Sequence, residues 1–269
     1  MKNGVPYALI TGGSSGIGLA FARELARRNY GIVIVSNQEE KNREVCQHLE
    51  DTYNIKAVPL YMDLTLPHAA QSVYDFCMEN KLDIEILINN AGMFFFKEIA
   101  ETSAELASKI TQLHVTTPTL LSVYFSKYMK EKQSGHILFI SSITAWMSFP
   151  GVVLYASTKG YVRQFARSLR YEMKDYHVNV TVVCPGAVNT GLYQLNDKQR
   201  KMFQNLQLMV SPEKLAKQTI QALFRKKAVY TPGFINKLSR PFVAIVPSCV
   251  IQIIKHKIWK KMYKQPTES

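Results

Sequence analysis

Cysteine is scarce in this chain: Cys46, Cys77, Cys184 and Cys249 are the only four in 269 residues, and they lie far apart. Their spacing fits neither a zinc site nor a dense disulfide framework, so free thiols in a reducing compartment are expected. Apolar runs long enough to span a bilayer are also missing. The run from Pro241 to Ile254 is fourteen residues with Pro247 inside it, against roughly 20 residues for an ordinary spanning helix. A strand-like segment already begins at Val5, which leaves no room for a secretory apolar region and predicts a cytoplasmic protein. There is no internal repeat and no low-complexity tract.

Acidic residues are nearly absent from the end of the chain. The net charge is +13, but residues 1–213 hold 21 basic and 19 acidic residues, whereas residues 214–269 hold 12 basic residues and one acid, Glu268. The body is close to neutral and the tail carries the charge, which argues against a nucleic-acid-binding body. Read as a helix, the tail sets Val250, Ile254, Ile258 and Met262 on one stripe, with Lys255, Lys257, Lys260, Lys261 and Lys264 largely elsewhere. Trp259 and Tyr263 accompany them. Two readings stand: a basic amphipathic extension for an anionic membrane surface, or a tail packed on protein with solvated lysines. Its aromatics sit among aliphatic residues and not in a stacking array, so nucleic acid is the poorer partner.

What is present is regular alternation. Strand-like runs at Val5–Thr11, Gly31–Ser36, Ala57–Met62, Ile84–Ile88, His136–Ser141, Val178–Cys184 and Ala228–Thr231 are separated by helical patterns. These cover 17–28, 39–53, 68–80, 103–113, 117–132, 152–175 and 212–225. Such alternation predicts an α/β fold, one doubly wound parallel sheet with helices on both faces. Residues 1–232 would form the catalytic domain and 233–269 a basic, apolar extension.

Two motifs carry chemistry. Thr11-Gly12-Gly13-Ser14-Ser15-Gly16-Ile17-Gly18 joins the first strand to the first helix. Gly12 permits the tight turn, Gly16 lets backbone approach a pyrophosphate at the helix N-terminus, and Gly18 lets helix pack closely, as in a Rossmann-type dinucleotide site. Farther on, Tyr155 and Lys159 stand four apart on one helix face, thirteen residues after Ser142. An ammonium at about 4 Å favours a phenolate by roughly 4 kcal/mol at an effective dielectric of about 20. That brings a phenol of ordinary pKa about 10 towards working pH as a general acid/base.

With Asn89-Asn90-Ala91-Gly92 between these motifs and Pro185-Gly186-Ala187-Val188-Asn189-Thr190 after them, residues 5 to 232 resemble the short-chain dehydrogenase/reductase family. The resemblance implies Ser142, Tyr155 and Lys159 as catalytic residues. Tyr155 would be the acid/base, Ser142 would hold the substrate oxygen, and Lys159 would bind the nicotinamide ribose. It implies a cofactor site of Thr11, Gly12, Ser14, Ser15, Gly16, Ile17, Gly18, Ser36, Asn37, Asp63, Leu64, Asn90, Ala91, Gly92, Tyr155, Lys159, Pro185, Gly186, Val188 and Thr190. Asp63 would contact adenine and Asn90 would steady the central strand. No metal is expected. A homodimer or homotetramer is implied, formed through the helices at 117–132 and 152–175.

One position departs from the family pattern. Where an Asn is usual on the helix after the Asn-Asn-Ala-Gly segment, this chain has His114. The family residue kinks the helix, and its backbone carbonyl holds a water that links Lys159 to solvent. Either the backbone does that work and His114 keeps a proton relay, with the imidazole free to join it, or the Asn side chain is needed and turnover is low. On the first reading His114 counts as catalytic, and His114→Asn should alter the pH profile more than cofactor affinity.

The second strand ends in Ser36-Asn37-Gln38-Glu39, with no Asp to bind a ribose hydroxyl of NAD. Ser36 and Asn37 can donate to a phosphate and Lys41 lies one turn on, so NADP(H) is favoured over NAD(H). Met93-Phe94-Phe95-Phe96, Trp146-Met147-Ser148-Phe149, and Leu192-Tyr193 with Leu206-Gln207-Leu208-Met209 are the segments the resemblance assigns to the substrate. They are large and apolar, which suits a lipid-like ketone. A 3-oxoacyl or 3-ketosphinganine reductase is the favoured type; a hydroxysteroid dehydrogenase and a cofactor-binding scaffold with little turnover are the alternatives.

Overall fold

The computed structural model describes residues 4–148, 150–189, 209–233, 246–247, 249–253 and 255–256. Seven strands form one wholly parallel sheet in the order β3-β2-β1-β4-β5-β6-β9. They are β1 (Tyr7–Thr11), β2 (Gly31–Ser36), β3 (Ala57–Tyr61), β4 (Ile84–Asn89), β5 (Gly135–Ile140), β6 (Val178–Val183) and β9 (Val229–Tyr230). Two-residue strands β7 (Ala187–Val188) and β8 (Met209–Val210) pair separately. Every residue of β1, β2 and β4 is buried, as near-continuous Ile, Leu and Val runs require of strands covered on both faces. Strand β3 alternates and carries Pro59, which an edge position tolerates because one side of it has no ladder to feed.

The helices divide between the two faces. On one face, α3 (Ala69–Glu79), α5 (Thr117–Lys132) and α6 (Val153–Met173) pack Val73, Cys77, Leu121, Phe125, Met129, Val162 and Ala166 against the sheet. On the other, α1 (Gly16–Ala26), α2 (Glu39–Tyr53) and the helix after β8, here α7 (Pro212–Phe224), contribute Phe21, Leu25, Leu49, Leu215 and Ile220. The winding reverses between β1 and β4, so their carboxyl ends diverge and open a crevice at the edge where α1 begins.

One connection differs from the sequence expectation. Helices anticipated at 103–113 and 117–132 are continuous: α4 (Ala104–Thr111) runs through a π turn (Gln112–Thr116) into α5. Pro118 imitates the start of a new helix, since proline suits a first turn, but the preceding residues are already helical. The tail segment beyond Gly233 lies mostly outside the described residues. Of the anticipated stripe only Val250 is among them, exposed to solvent. Among the described residues no helix is long and apolar enough to cross a membrane.

Candidate active site

The crevice is a cleft of about 760 Å³. Its floor is the glycine turn. Gly12 has φ +66°, a left-handed conformation that disfavours side chains, and a Cβ at Gly18 would fall 2.1 Å from the Gly12 carbonyl oxygen. The first turn of α1 has no side-chain cap and no acidic residue, and Ser15, Gly16 and Ile17 line the cleft, where the N–H groups of a helix start lack intrahelical acceptors. That is an anion site of the kind a pyrophosphate occupies. Thr11 does not line this cleft. It is buried, donates to the Ile88 carbonyl, and its Oγ1 accepts from Asn90 and Ala91 N–H at 2.9 and 3.0 Å. It therefore fastens β1 to the Asn-Asn-Ala-Gly segment from behind. Asn90 returns the tie, its amide donating to the Thr11 and Gly12 carbonyls at 2.8 and 3.2 Å.

At the far end of the cleft lie Ser14, Ser36, Asn37, Gln38, Lys41, Asp63 and Leu64. Ser36, expected to donate to a phosphate, has its hydroxyl hydrogen committed elsewhere. The Asn42 amide nitrogen donates to the Ser36 and Leu60 carbonyls, both at 3.1 Å, which turns its Oδ1 towards Ser36 Oγ at 2.5 Å as an acceptor. Ser36 Oγ in turn accepts from Gln38 N–H. Asn37 and Lys41 are left to face a ligand at this corner. Asp63 accepts from Thr65 through its N–H and its hydroxyl. No carboxylate ends β2, the position where one would bind the ribose hydroxyl of NAD.

At the other end, Ser142 follows β5 while Tyr155 and Lys159 stand on α6. All three line the cleft and all are more than nine-tenths buried. Ser141 and Ser142 separate cleanly: Ser141 donates to the Lys159 carbonyl at 2.8 Å, whereas Ser142 Oγ only accepts, from Thr144 N–H at 3.2 Å. Among the described residues the Ser142 hydroxyl hydrogen is available to a substrate oxygen. The Lys159 ammonium donates to the Ile140 carbonyl at 3.0 Å and sits 5.6 Å from the Tyr155 ring centre. Burial pushes its pKa down to about 8. Pro185, Gly186 and Val188 complete the wall, with Ile17, Ala91 and Gly92 opposite. Thr190, Phe149, Leu192, Tyr193 and Leu206–Leu208 lie outside the described residues.

His114 occupies the π turn with 2% of its surface exposed. Nε2 accepts from Met93 N–H at 2.9 Å, and Nδ1 lies 3.0 Å from Thr158 Oγ1, which donates to the Tyr155 carbonyl at 2.9 Å. Burial, and secondarily the Lys159 charge, hold its pKa well below the usual imidazole value. Behind Lys159 a small cavity of about 10 Å³ is lined by Asn89, Leu113, His114 and Thr117 among others, and Asn89 Oδ1 is buried without a partner among the described residues. Sequence reasoning missed Thr158, Asn42 and Asn89. Asn89 left a trace as the first residue of the Asn-Asn-Ala-Gly motif, and Thr158 as a hydroxyl three residues after Tyr155 that can bond back to the preceding turn.

Over Tyr155 stands an apolar wall. Phe94 meets its ring edge-on at 5.0 Å, and Met93, Phe95 and Phe96 pack with Ile110, Val152 and Ala156.

The family model described as short chain dehydrogenase matches residues 6–201. The chain is 31% identical over 201 residues to the 17-beta-hydroxysteroid dehydrogenase type 3 of Mus musculus, covering 72% of this chain and 64% of that one. It is 30% identical over 196 residues to the very-long-chain 3-oxoacyl-CoA reductase of the same organism, covering 70% and 61%. The match thus spans less than two thirds of either relative. A short-chain dehydrogenase from Sphingobium yanoikuyae, solved in complex with NADPH, superposes with TM-score 0.77 at 24% identity over 91% of this chain and 97% of that one. With the parallel sheet, the glycine turn and the buried Ser142, Tyr155 and Lys159, the family match leads to one assignment: the chain belongs to the short chain dehydrogenase family of oxidoreductases.

Proposed function

We propose that this protein reduces the ketone of an apolar, lipid-like substrate to a secondary alcohol with NADPH, or runs the reverse reaction. The observation that carries the reading is the convergence of Ser142, Tyr155 and Lys159 at one end of the cleft, beneath the Phe94 wall. A bound nicotinamide would supply the hydride to the ketone or accept it from the alcohol. Gly12, Ser14, Ser15, Gly16 and Ile17 would hold its pyrophosphate, Asp63 and Leu64 its adenine side, and Asn90 to Gly92 with Pro185, Gly186 and Val188 the rest. Asn37 and Lys41 would take the 2′-phosphate.

The protein's own residues do the proton work. Ser142 donates to the substrate oxygen, Tyr155 gives or takes the proton there, and the Lys159 charge favours the phenolate. Lys159 is proposed to be resupplied past the π turn, a local geometry that recurs at functional sites. The cavity beside it is at the size limit for one water, and the Asn89 carbonyl gives that water a partner.

The 3-oxoacyl type is favoured because the wall is wholly apolar and the tail basic. The similarity to a 17-beta-hydroxysteroid dehydrogenase favours a steroid ketone as the second reading. A panel of 3-oxoacyl, 3-ketosphinganine and steroid ketones, followed by NADPH absorbance, separates them. The tail is proposed to rest on an anionic membrane, which liposome flotation of the full chain tests. Homo-oligomerisation is proposed through α5 and α6, where Val123, Tyr161 and Tyr171 are exposed.

A further inference from the structure

We infer that His114 is a fixed hydrogen-bonding clamp, in the Nδ1–H tautomer, that holds the substrate-side loop to the catalytic helix and carries no proton itself. The inference rests on the oxidoreductase reading above. Its first support is the direction of the bonds. A backbone N–H can only donate, so the nitrogen that faces Met93, Nε2, must offer a lone pair. The proton then sits on Nδ1, which faces Thr158 Oγ1. That hydroxyl spends its own hydrogen on the Tyr155 carbonyl and has a lone pair to spare. Three bonds run in one direction, from loop to imidazole to helix, and neither ring nitrogen is left to relay a proton.

The second support is electrostatic. A Cβ at Gly92 would lie 3.0 Å from His114 Nε2 and 3.7 Å from Lys159 Nζ, so the imidazole and the ammonium both crowd that glycine. Tyr155 faces the ring edge at 5.8 Å between centres. A second cation in this space is opposed by Lys159 and by burial together.

The third support is what the clamp holds. The segment from Met93 to Lys97 is tied at both ends, by Met93 N–H to His114 and by Lys97 N–H to the Gly151 carbonyl at 2.8 Å. Between the ties stand Phe94, Phe95 and Phe96. Phe94 lies edge-on to Tyr155, and Phe96 covers Gly151 so closely that a Cβ there would fall 2.4 Å from its ring. Releasing the Met93 tie frees one end of the wall that sets the ketone beside Tyr155. His114 is thus a positioning residue that acts through Met93 and Tyr155. An asparagine offers the same acceptor and donor pair on a shorter arm; a leucine fills the space with neither.

Two measurements on the full chain test this. In the wild-type protein, the 15N spectrum of selectively labelled histidine should show His114 with a protonated Nδ1 and a bare Nε2, unchanged between about pH 5.5 and about pH 9. In kinetics, His114→Leu should raise KM for the preferred ketone and lower kcat/KM roughly 10- to 100-fold, leaving the NADPH dissociation constant unchanged. Thr158→Val should act in the same direction and non-additively with it. His114→Asn should recover most of the loss with the pH profile unmoved. An Nε2–H tautomer, an imidazole that titrates in this range, or a pH profile displaced by His114→Asn would overturn the clamp. If no ketone is turned over with NADPH, the oxidoreductase reading fails instead, and the tautomer result still stands or falls alone.

Discussion

The Lys159 ammonium lies 5.6 Å from the centre of the Tyr155 ring, inside a site where both residues are more than nine-tenths buried. Burial depresses the lysine from its ordinary value near 10.5 to about 8. The folded state therefore binds this proton less tightly than the unfolded chain, and below about pH 8 the protein bears the full cost of a buried charge. As pH rises from about 8 towards 10.5 the unfolded state holds more protons, so this cost fades. Lys159→Met should stabilise the protein at pH 7 by about 2–3 kcal/mol, with the gain shrinking above pH 8, while turnover is lost. Thermal melts at pH 7 and pH 10 measure it; equal or lower stability of the variant at pH 7 contradicts it.

His114 gives the acidic counterpart. Its pKa is well below the unfolded value near 6.5, so below that pH the unfolded chain takes up a proton that the folded chain refuses. Stability should fall with acidification by up to about 1.4 kcal/mol per pH unit from this group. His114→Asn should flatten the decline between about pH 6.5 and pH 5. Urea unfolding of both proteins across that range reads the difference in slope, and parallel slopes would show that the histidine is charged in the fold.

The commitment of Ser36 to Asn42 divides the cofactor corner into a structural half and a ligand half. Ser36→Ala leaves the buried Asn42 Oδ1 without its donor, at a cost of about 1–3 kcal/mol in stability. It should not change the preference between the two reduced cofactors. Lys41→Glu should do the opposite, with stability nearly unchanged and the kcat/KM ratio of NADPH to NADH reduced roughly tenfold or more. Steady-state kinetics with both cofactors decide it. A ratio that follows Ser36 and ignores Lys41 would refute the division.

Phe94 meets Tyr155 edge-on at 5.0 Å and has no place in the proton chemistry. Phe94→Ala should therefore act on the substrate. It should raise KM for a long-chain 3-oxo substrate by roughly 10-fold, about 1.4 kcal/mol, and change a small ketone little. A uniform loss across both would assign Phe94 to folding.

Much of this site was legible because its signals are local. The glycine turn needs particular backbone angles at Gly12 and a bare Cα at Gly18, and Tyr155 and Lys159 share a helix face by spacing alone. The strands were readable within one or two residues because strands buried on both faces are apolar throughout. What was not legible depends on neighbours brought from elsewhere. The helix at 117–132 was legible with its observed bounds, but the π turn that joins it to α4 without a break was not. Ser36 reads as a phosphate donor until Asn42 folds over it, and Thr11 reads as a cofactor contact until Asn90 and Ala91 occupy its oxygen from behind. The β7–β8 pairing joins two-residue strands more than twenty residues apart, too short for any periodicity.

The central claim is that Tyr155 protonates the oxygen of an apolar ketone as NADPH is oxidised. The most direct test is NADPH absorbance with the full-length protein and the 3-oxoacyl, 3-ketosphinganine and steroid ketones, run beside Tyr155→Phe. Turnover on at least one of these ketones, abolished by at least about 1,000-fold in Tyr155→Phe with NADPH still bound, is the predicted result. No turnover on any ketone despite tight NADPH binding, or turnover that survives the loss of the phenol, would contradict it.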